Sequence, residues 1–151
     1  MSLKHDDRLR ALTHKDSDFW ADVVDNVLIV AITDVRGVIT YVNDRFCEIS
    51  RYSREELLGS THRIVNSGYH DASFFRQMYR TIRAGEIWRG NICNRAKDGT
   101  LYWVATTIMP KHNSLGAIEG YVASRFEITE LMNTRDRLKS LAATDPLTGL
   151  F

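Results

Sequence analysis

Two apolar runs near the front of the chain, Leu28 to Thr33 and Val38 to Val42, are rich in β-branched residues, and the polar link Asp34-Val35-Arg36-Gly37 separates them. Two strand-like runs joined through a glycine-bearing link predict a hairpin. Ahead of them, Phe19, Val23, Val24 and Val27 fall at helical spacing after the potential cap Asp16 or Ser17, which predicts a helix over residues 17–26. Behind them, Asn43 can cap a helix carrying Phe46, Cys47 and Ile49. Ser53 with Glu56 three residues on fits a capping box ahead of Leu57-Leu58-Gly59.

From Asp71 the period becomes helical again: Phe74, Phe75, Met78, Tyr79 and Ile82 mark one face of a helix that Gly85 should terminate. Three further strand-like runs follow, Trp88 to Ala96, Leu101 to Met109 and Ile118 to Phe126. The first two flank Lys97-Asp98-Gly99-Thr100, whose Asp-Gly pair signals a tight turn; the third follows a turn built on Asn113, Ser114 and Gly116. Two strands, several helices and three strands predict an α+β domain, a five-stranded antiparallel sheet with helices on one face and a pocket between. Ile128, Leu131, Leu138 and Leu141 then recur at helical spacing among charged residues and predict a second flanking helix with a narrow apolar stripe.

Composition narrows the function classes. At 151 residues and 44% hydrophobic, the chain suits one domain with appendages and needs no staples. Twenty Lys+Arg against 19 Asp+Glu, interspersed, leave no electrostatic footprint for nucleic acid or an anionic membrane surface. No apolar run approaches the roughly 18–20 residues of a spanning helix, and the N-terminus lacks a signal-peptide layout, so the expected location is cytoplasmic, with any membrane anchor lying upstream in a parent protein. Cys47 and Cys93 are isolated and read as buried free thiols. No nucleophile–base pair, metal-ligand cluster or phosphate loop is visible, so no enzyme activity is expected of the chain.

The phrases Ile39-Thr40-Tyr41-Val42-Asn43, Glu55-Glu56-Leu57-Leu58-Gly59, Trp88-Arg89-Gly90-Asn91, Asn94 to Gly99 and the closing Glu127-Ile128-Thr129-Glu130 resemble PAS domains over about residues 17–130. Glu127 stands where that family usually has Asp, one methylene longer. Asp145-Pro146-Leu147-Thr148-Gly149-Leu150 resembles the first turn of GGDEF domains, the diguanylate cyclases that make cyclic di-GMP. The resemblance divides the chain into an N-terminal extension (1–16), a PAS sensory domain (17–130), a linker helix (131–144) and the opening of a cyclase domain (145–151). It implies a bacterial sensory input module that regulates diguanylate cyclase output in cyclic di-GMP signal transduction.

Asn66-Ser67-Gly68-Tyr69-His70, with Trp88, Asn94, Arg95, Lys97 and Tyr102-Trp103, resembles the PAS sensors that bind FAD for redox or aerotaxis sensing. The cofactor-binding residues so implied are Trp88, Asn94, Asn66, His70, Lys97 and Tyr102. Trp88 and Asn94 are an even number of residues apart, so on a regular strand they share a face. A cofactor-free dimerisation module, its pocket filled by its own side chains, is the alternative. Haem would need His62 or His70 as axial ligand, and neither lies in a ligating phrase. A carboxylate sensor would present Arg95 or Arg125 inside the pocket, but both lie on strands of mixed pattern and are expected to face solvent. Phe19 and Trp20 put aromatic surface on more than one side of the first helix, which together with Val23, Leu131 and Leu138 predicts a homodimer interface.

Overall fold

A computed structural model describes residues 16–144. The cyclase-like phrase at residues 145–151 and nearly all of the N-terminal extension lie outside them. Helix α1 (residues 16–26) precedes strand β1 (Ile29–Asp34), which turns back as β2 (Ile39–Val42). Helices α2 (Asp44–Ser50) and α3 (Arg54–Leu57), a 3-10 turn at His62–Val65 and helix α4 (Ala72–Arg83) follow, then β3 (Trp88–Arg95), β4 (Leu101–His112), β5 (Ile118–Glu127) and helix α5 (Thr129–Thr144).

Local chemistry sets most of these boundaries. Asn43 caps α2, its side chain accepting from the Phe46 N–H at 3.2 Å. At Ser53 and Glu56 both reciprocal bonds of the capping box are present, each at 3.1 Å. Asp71 caps α4 through the Phe74 N–H at 3.0 Å, and the chain leaves that helix through Gly85 at φ +85°, a conformation glycine adopts without a Cβ penalty.

All neighbouring strands in the sheet run antiparallel, in the order β2-β1-β5-β4-β3, so the last strand sits in the middle and β3 forms one edge. The close β1–β5 pairing depends on Gly120: a Cβ there would lie 2.1 Å from the Thr33 carbonyl oxygen. One face of the sheet carries Ile29, Ala31, Ile92, Val104, Ile108 and Ala123 against Phe46, Leu57, Val65, Met78 and Ile82 from the helical side, which is the main core. The opposite face carries a smaller cluster, Cys93 and Trp103 covered by Ile128 and Met132, and this fixes the start of α5. Leu131, Leu138 and Leu141 of the anticipated stripe are exposed, as are Phe19 and Trp20 on α1. Cys93 is buried as expected; Cys47 is only half-buried.

Candidate functional site

An internal cavity of about 80 Å³ lies between the inner sheet face and α4, walled by Met78, Ile82, Ile92, Ile108 and Ala123. Its exposed lining residues, Arg36, Tyr79 and Arg83, mark the side that opens to solvent. No carboxylate lines it among the described residues.

Arg125, His62 and Asn94 bring polar side chains into this space from different elements, beside Thr33 and Tyr121. Arg125 comes from the centre of the sheet, where it pairs with Ile29 of β1 and Thr106 of β4. It is 4% exposed, and its Nε and Nη1 have no hydrogen-bond partner among the described residues. Its guanidinium sits 5.4 Å from the centroid of the Phe46 ring, a cation–π contact that compensates only part of its lost hydration. Burial pushes its pKa down to about 10, the nearby Tyr102 opposing, so the group stays charged at neutral pH. His62, on the 3-10 turn, also brings a buried and unpartnered Nε2. Burial, and secondarily the charge of Arg125, push its pKa down to about 3, so this imidazole is neutral. Asn94 too is buried in the lining and lies opposite Tyr102 on β4. Burial pushes the Tyr102 hydroxyl up to about 12.

The other residues singled out in the sequence take different places. Trp88 is buried on the same face as Asn94, as the even separation requires, but it lies beside the cavity rather than lining it. Its indole covers Gly90, where a Cβ would come within 2.6 Å of the ring. The ring Nε1–H donates to Gln77 Oε1 at 2.8 Å, and Phe74 meets the ring edge-on at 5.5 Å. The segment 66–70 caps the free edge of β3. Asn66 pairs with Asn94 through the backbone, the Ser67 hydroxyl donates to the Cys93 carbonyl at 2.7 Å, and His70 Nε2 accepts the Cys93 N–H at 2.9 Å. A covered edge cannot pair with another chain. The His70 ring is stacked on Phe74, with centroids 4.0 Å apart, and burial lowers its pKa. Lys97 is exposed and pairs with Glu56 at 2.8 Å, tying the β3–β4 turn to α3.

The outward orientation expected of Arg125 is corrected. Tyr121, Ala123 and Arg125 alternate on the inner face while Phe126 is exposed, so the polar and apolar positions of β5 are inverted near its end. Arg95 is exposed, as expected. His62, weighed above only as an axial haem ligand, lines the cavity instead.

A family model for the PAS domain matches residues 25–130. The chain belongs to the PAS domain family. Among curated relatives, it is 32% identical over 125 residues to the aerotaxis receptor of Escherichia coli K12, covering 83% of this chain and 23% of the receptor. It is 31% identical over 131 residues to the nitrogen fixation regulatory protein of Klebsiella pneumoniae, covering 86% of this chain and 26% of that protein. The PAS chain thus spans about a quarter of the length of these relatives. Among solved structures, it matches an RNA-binding light-oxygen-voltage receptor with a TM-score of 0.71 at 21% identity, over 84% of this chain and 37% of that one. The LOV domain of a blue-light-activated histidine kinase from Erythrobacter litoralis gives a TM-score of 0.62 at 21% identity, over 68% and 96%. At these identities the structural matches speak for the fold.

In this PAS domain the sheet exit is bonded to both sides. Glu127 accepts from Arg45 of α2 at 3.2 Å and from the Thr129 hydroxyl at 2.9 Å, and that hydroxyl accepts the Trp103 N–H at 3.0 Å. The longer carboxylate arm keeps an ion pair at this corner. No helix among the described residues is long and apolar enough to cross a membrane, and none of their side chains cluster as a metal site.

Proposed function

We propose that this PAS sensory domain is the input module of a larger signalling protein, that it holds FAD in the cavity between the sheet and α4, and that it senses redox state or oxygen. The observation that carries the proposal is the convergence of Arg125, His62 and Asn94 in one cavity, with Arg125 Nε and Nη1 and His62 Nε2 buried and without hydrogen-bond partners among the described residues. Such groups fit the edge of a flavin ring, which offers both acceptors and a donor. When bound, FAD supplies a ring whose hydrogen-bonding and charge change with its electron count. Asn94, opposite Tyr102 on β4, presents an amide to that edge, and Trp88 supplies an aromatic surface alongside. Asn66 and His70 hold the β3 edge that carries Asn94, and Lys97 anchors the turn beyond it. At about 80 Å³ the cavity is well below the roughly 300–1,000 Å³ of small-molecule pockets, so loading requires α4 to shift and Met78, the most adaptable wall residue, to repack.

Output is proposed to pass through α5 to a diguanylate cyclase, as the phrase at residues 145–151 suggests. A cyclase that joins two GTP molecules works as a pair, and the exposed Phe19, Trp20, Leu131 and Leu138, with the half-buried Val23, offer a surface for a homodimer. Those residues equally favour the second reading, a cofactor-free dimerisation module. Mixing the protein with FAD, removing the excess and recording an absorption spectrum decides between them. Retained flavin bands are expected; a spectrum free of flavin after loading would refute the cofactor reading.

A further inference from the structure

Arg125, His62 and Asn94 are not equivalent in charge. Asn94 and the His62 imidazole are neutral, whereas Arg125 is cationic, and no carboxylate lines the space to balance it. A buried guanidinium without an anion costs stability: the Coulombic gain of an ion pair is absent while the desolvation penalty is kept. The surroundings offer only the Phe46 face, 5.4 Å away, and the un-ionised Tyr102 hydroxyl. Around it stand His62 on the 3-10 turn, Tyr121 on β5 itself, and Arg36, Tyr79 and Arg83 toward the solvent side, where Arg36 is paired with the Asp34 carboxylate at 3.5 Å. An anion that reaches Arg125 meets positive charge, with no carboxylate among the lining residues.

We infer that Arg125, with His62 beside it, forms an oxyanion subsite at the inner end of the cavity, selecting planar ligands that bear negative charge on a ring-edge oxygen. The inference deepens the flavin reading and rests on the same cavity, since a flavin ring edge becomes such an oxyanion when the ring ionises. The Arg125 side chain is then a binding group kept at a cost to the empty fold. Its removal should have opposite effects on stability and on binding, which a purely structural arginine would not show. His62 is a positioning residue here, filling the space beside the guanidinium without adding charge.

The test uses the whole chain and its Arg125→Met variant, which keeps the volume and drops the charge, with Arg125→Gln as the substitute should the first fail to fold. In the absence of ligand, Arg125→Met should melt higher, by about 2–4 °C. Benzoate should raise the melting temperature of the wild type and its neutral isostere benzamide should not, and the benzoate response should vanish in the variant. FAD should be retained at least roughly tenfold less tightly by the variant. The pH at which the bound flavin ring ionises, read from its absorption, should be higher in the variant. Equal FAD retention and an equal benzoate response in both proteins would overturn the subsite, as would a wild type that responds to neither FAD nor benzoate. A wild type that retains no FAD yet answers benzoate through Arg125 would remove the flavin reading and leave the subsite standing.

Discussion

Asn43 and Arg125 are both polar, both almost fully buried, and both at the sheet, yet they are opposites. At the β2–α2 junction every hydrogen-bonding capacity of the Asn43 side chain is used. Its amide donates to the Val24 and Leu28 carbonyls at 2.9 and 2.7 Å, and its oxygen accepts the Val30 and Phe46 N–H groups at 3.0 and 3.2 Å. One residue therefore ties the end of α1, the start of β1 and the first turn of α2 together. Arg125, at the centre of the same sheet, leaves two of its nitrogens unbonded among the described residues. A satisfied buried polar group specifies the fold, and an unsatisfied one points to something the fold is built to receive.

The contrast can be broken by mutation, and the largest effect belongs to the satisfied side. Asn43→Ala should destabilise the protein by about 3–4 kcal/mol, since it strands two carbonyls and two N–H groups in the interior. Urea unfolding measures this, and a loss below about 1 kcal/mol would mean that the junction is held by packing alone. Trp88→Phe sharpens the comparison from an intermediate case, a buried aromatic with one satisfied donor. It should cost about 1–3 kcal/mol by stranding Gln77 Oε1 and leaving space over Gly90.

The third effect depends on pH. His62 ionises near 6.5 in the unfolded chain and at about 3 in the fold, so the unfolded state binds more protons between those values. Stability is therefore full above pH 6.5 and falls as the pH drops from 6.5 toward 3. Between about 6.5 and 5, above the usual carboxylate range, the fall should come from histidines, with the depressed His70 contributing in the same direction. His62→Gln should flatten this part of the curve by roughly 1–2 kcal/mol; an unchanged slope would place His62 in contact with water. The smallest effect is at the surface: Arg45→Ala removes one ion pair to Glu127 and should cost about 0.5 kcal/mol, within the range of exposed pairs.

The parts of this molecule that were legible in the sequence are those decided by near neighbours. Asn43, the Ser53–Glu56 box, Asp71 and the Asp98-Gly99 turn act on backbone groups within a few residues, so their spacing names their partners. Strand parity likewise placed Trp88 and Asn94 on one face. It would have placed Arg125 as well, two and four residues from the inward Ala123 and Tyr121, but the exposed Phe126 beside it inverts the usual inside-apolar pattern. The anchor of α5 was hidden for a related reason. Met132 is buried against Cys93 and Trp103, while the more conspicuous Leu131 and Leu138 of the same helix are exposed. Asn66 and His70 were recognised as a phrase, but their bonds to β3 link positions more than 20 residues apart, and no local pattern encodes those.

A crystal structure of the protein loaded with FAD tests the central claim most directly. The expected result is a flavin ring between α4 and the inner sheet face, with a ring-edge oxygen within hydrogen-bonding distance of Arg125 Nε or Nη1 and with Asn94 meeting the same edge. A flavin bound elsewhere, with both Arg125 nitrogens still unpartnered in the interior, would contradict it.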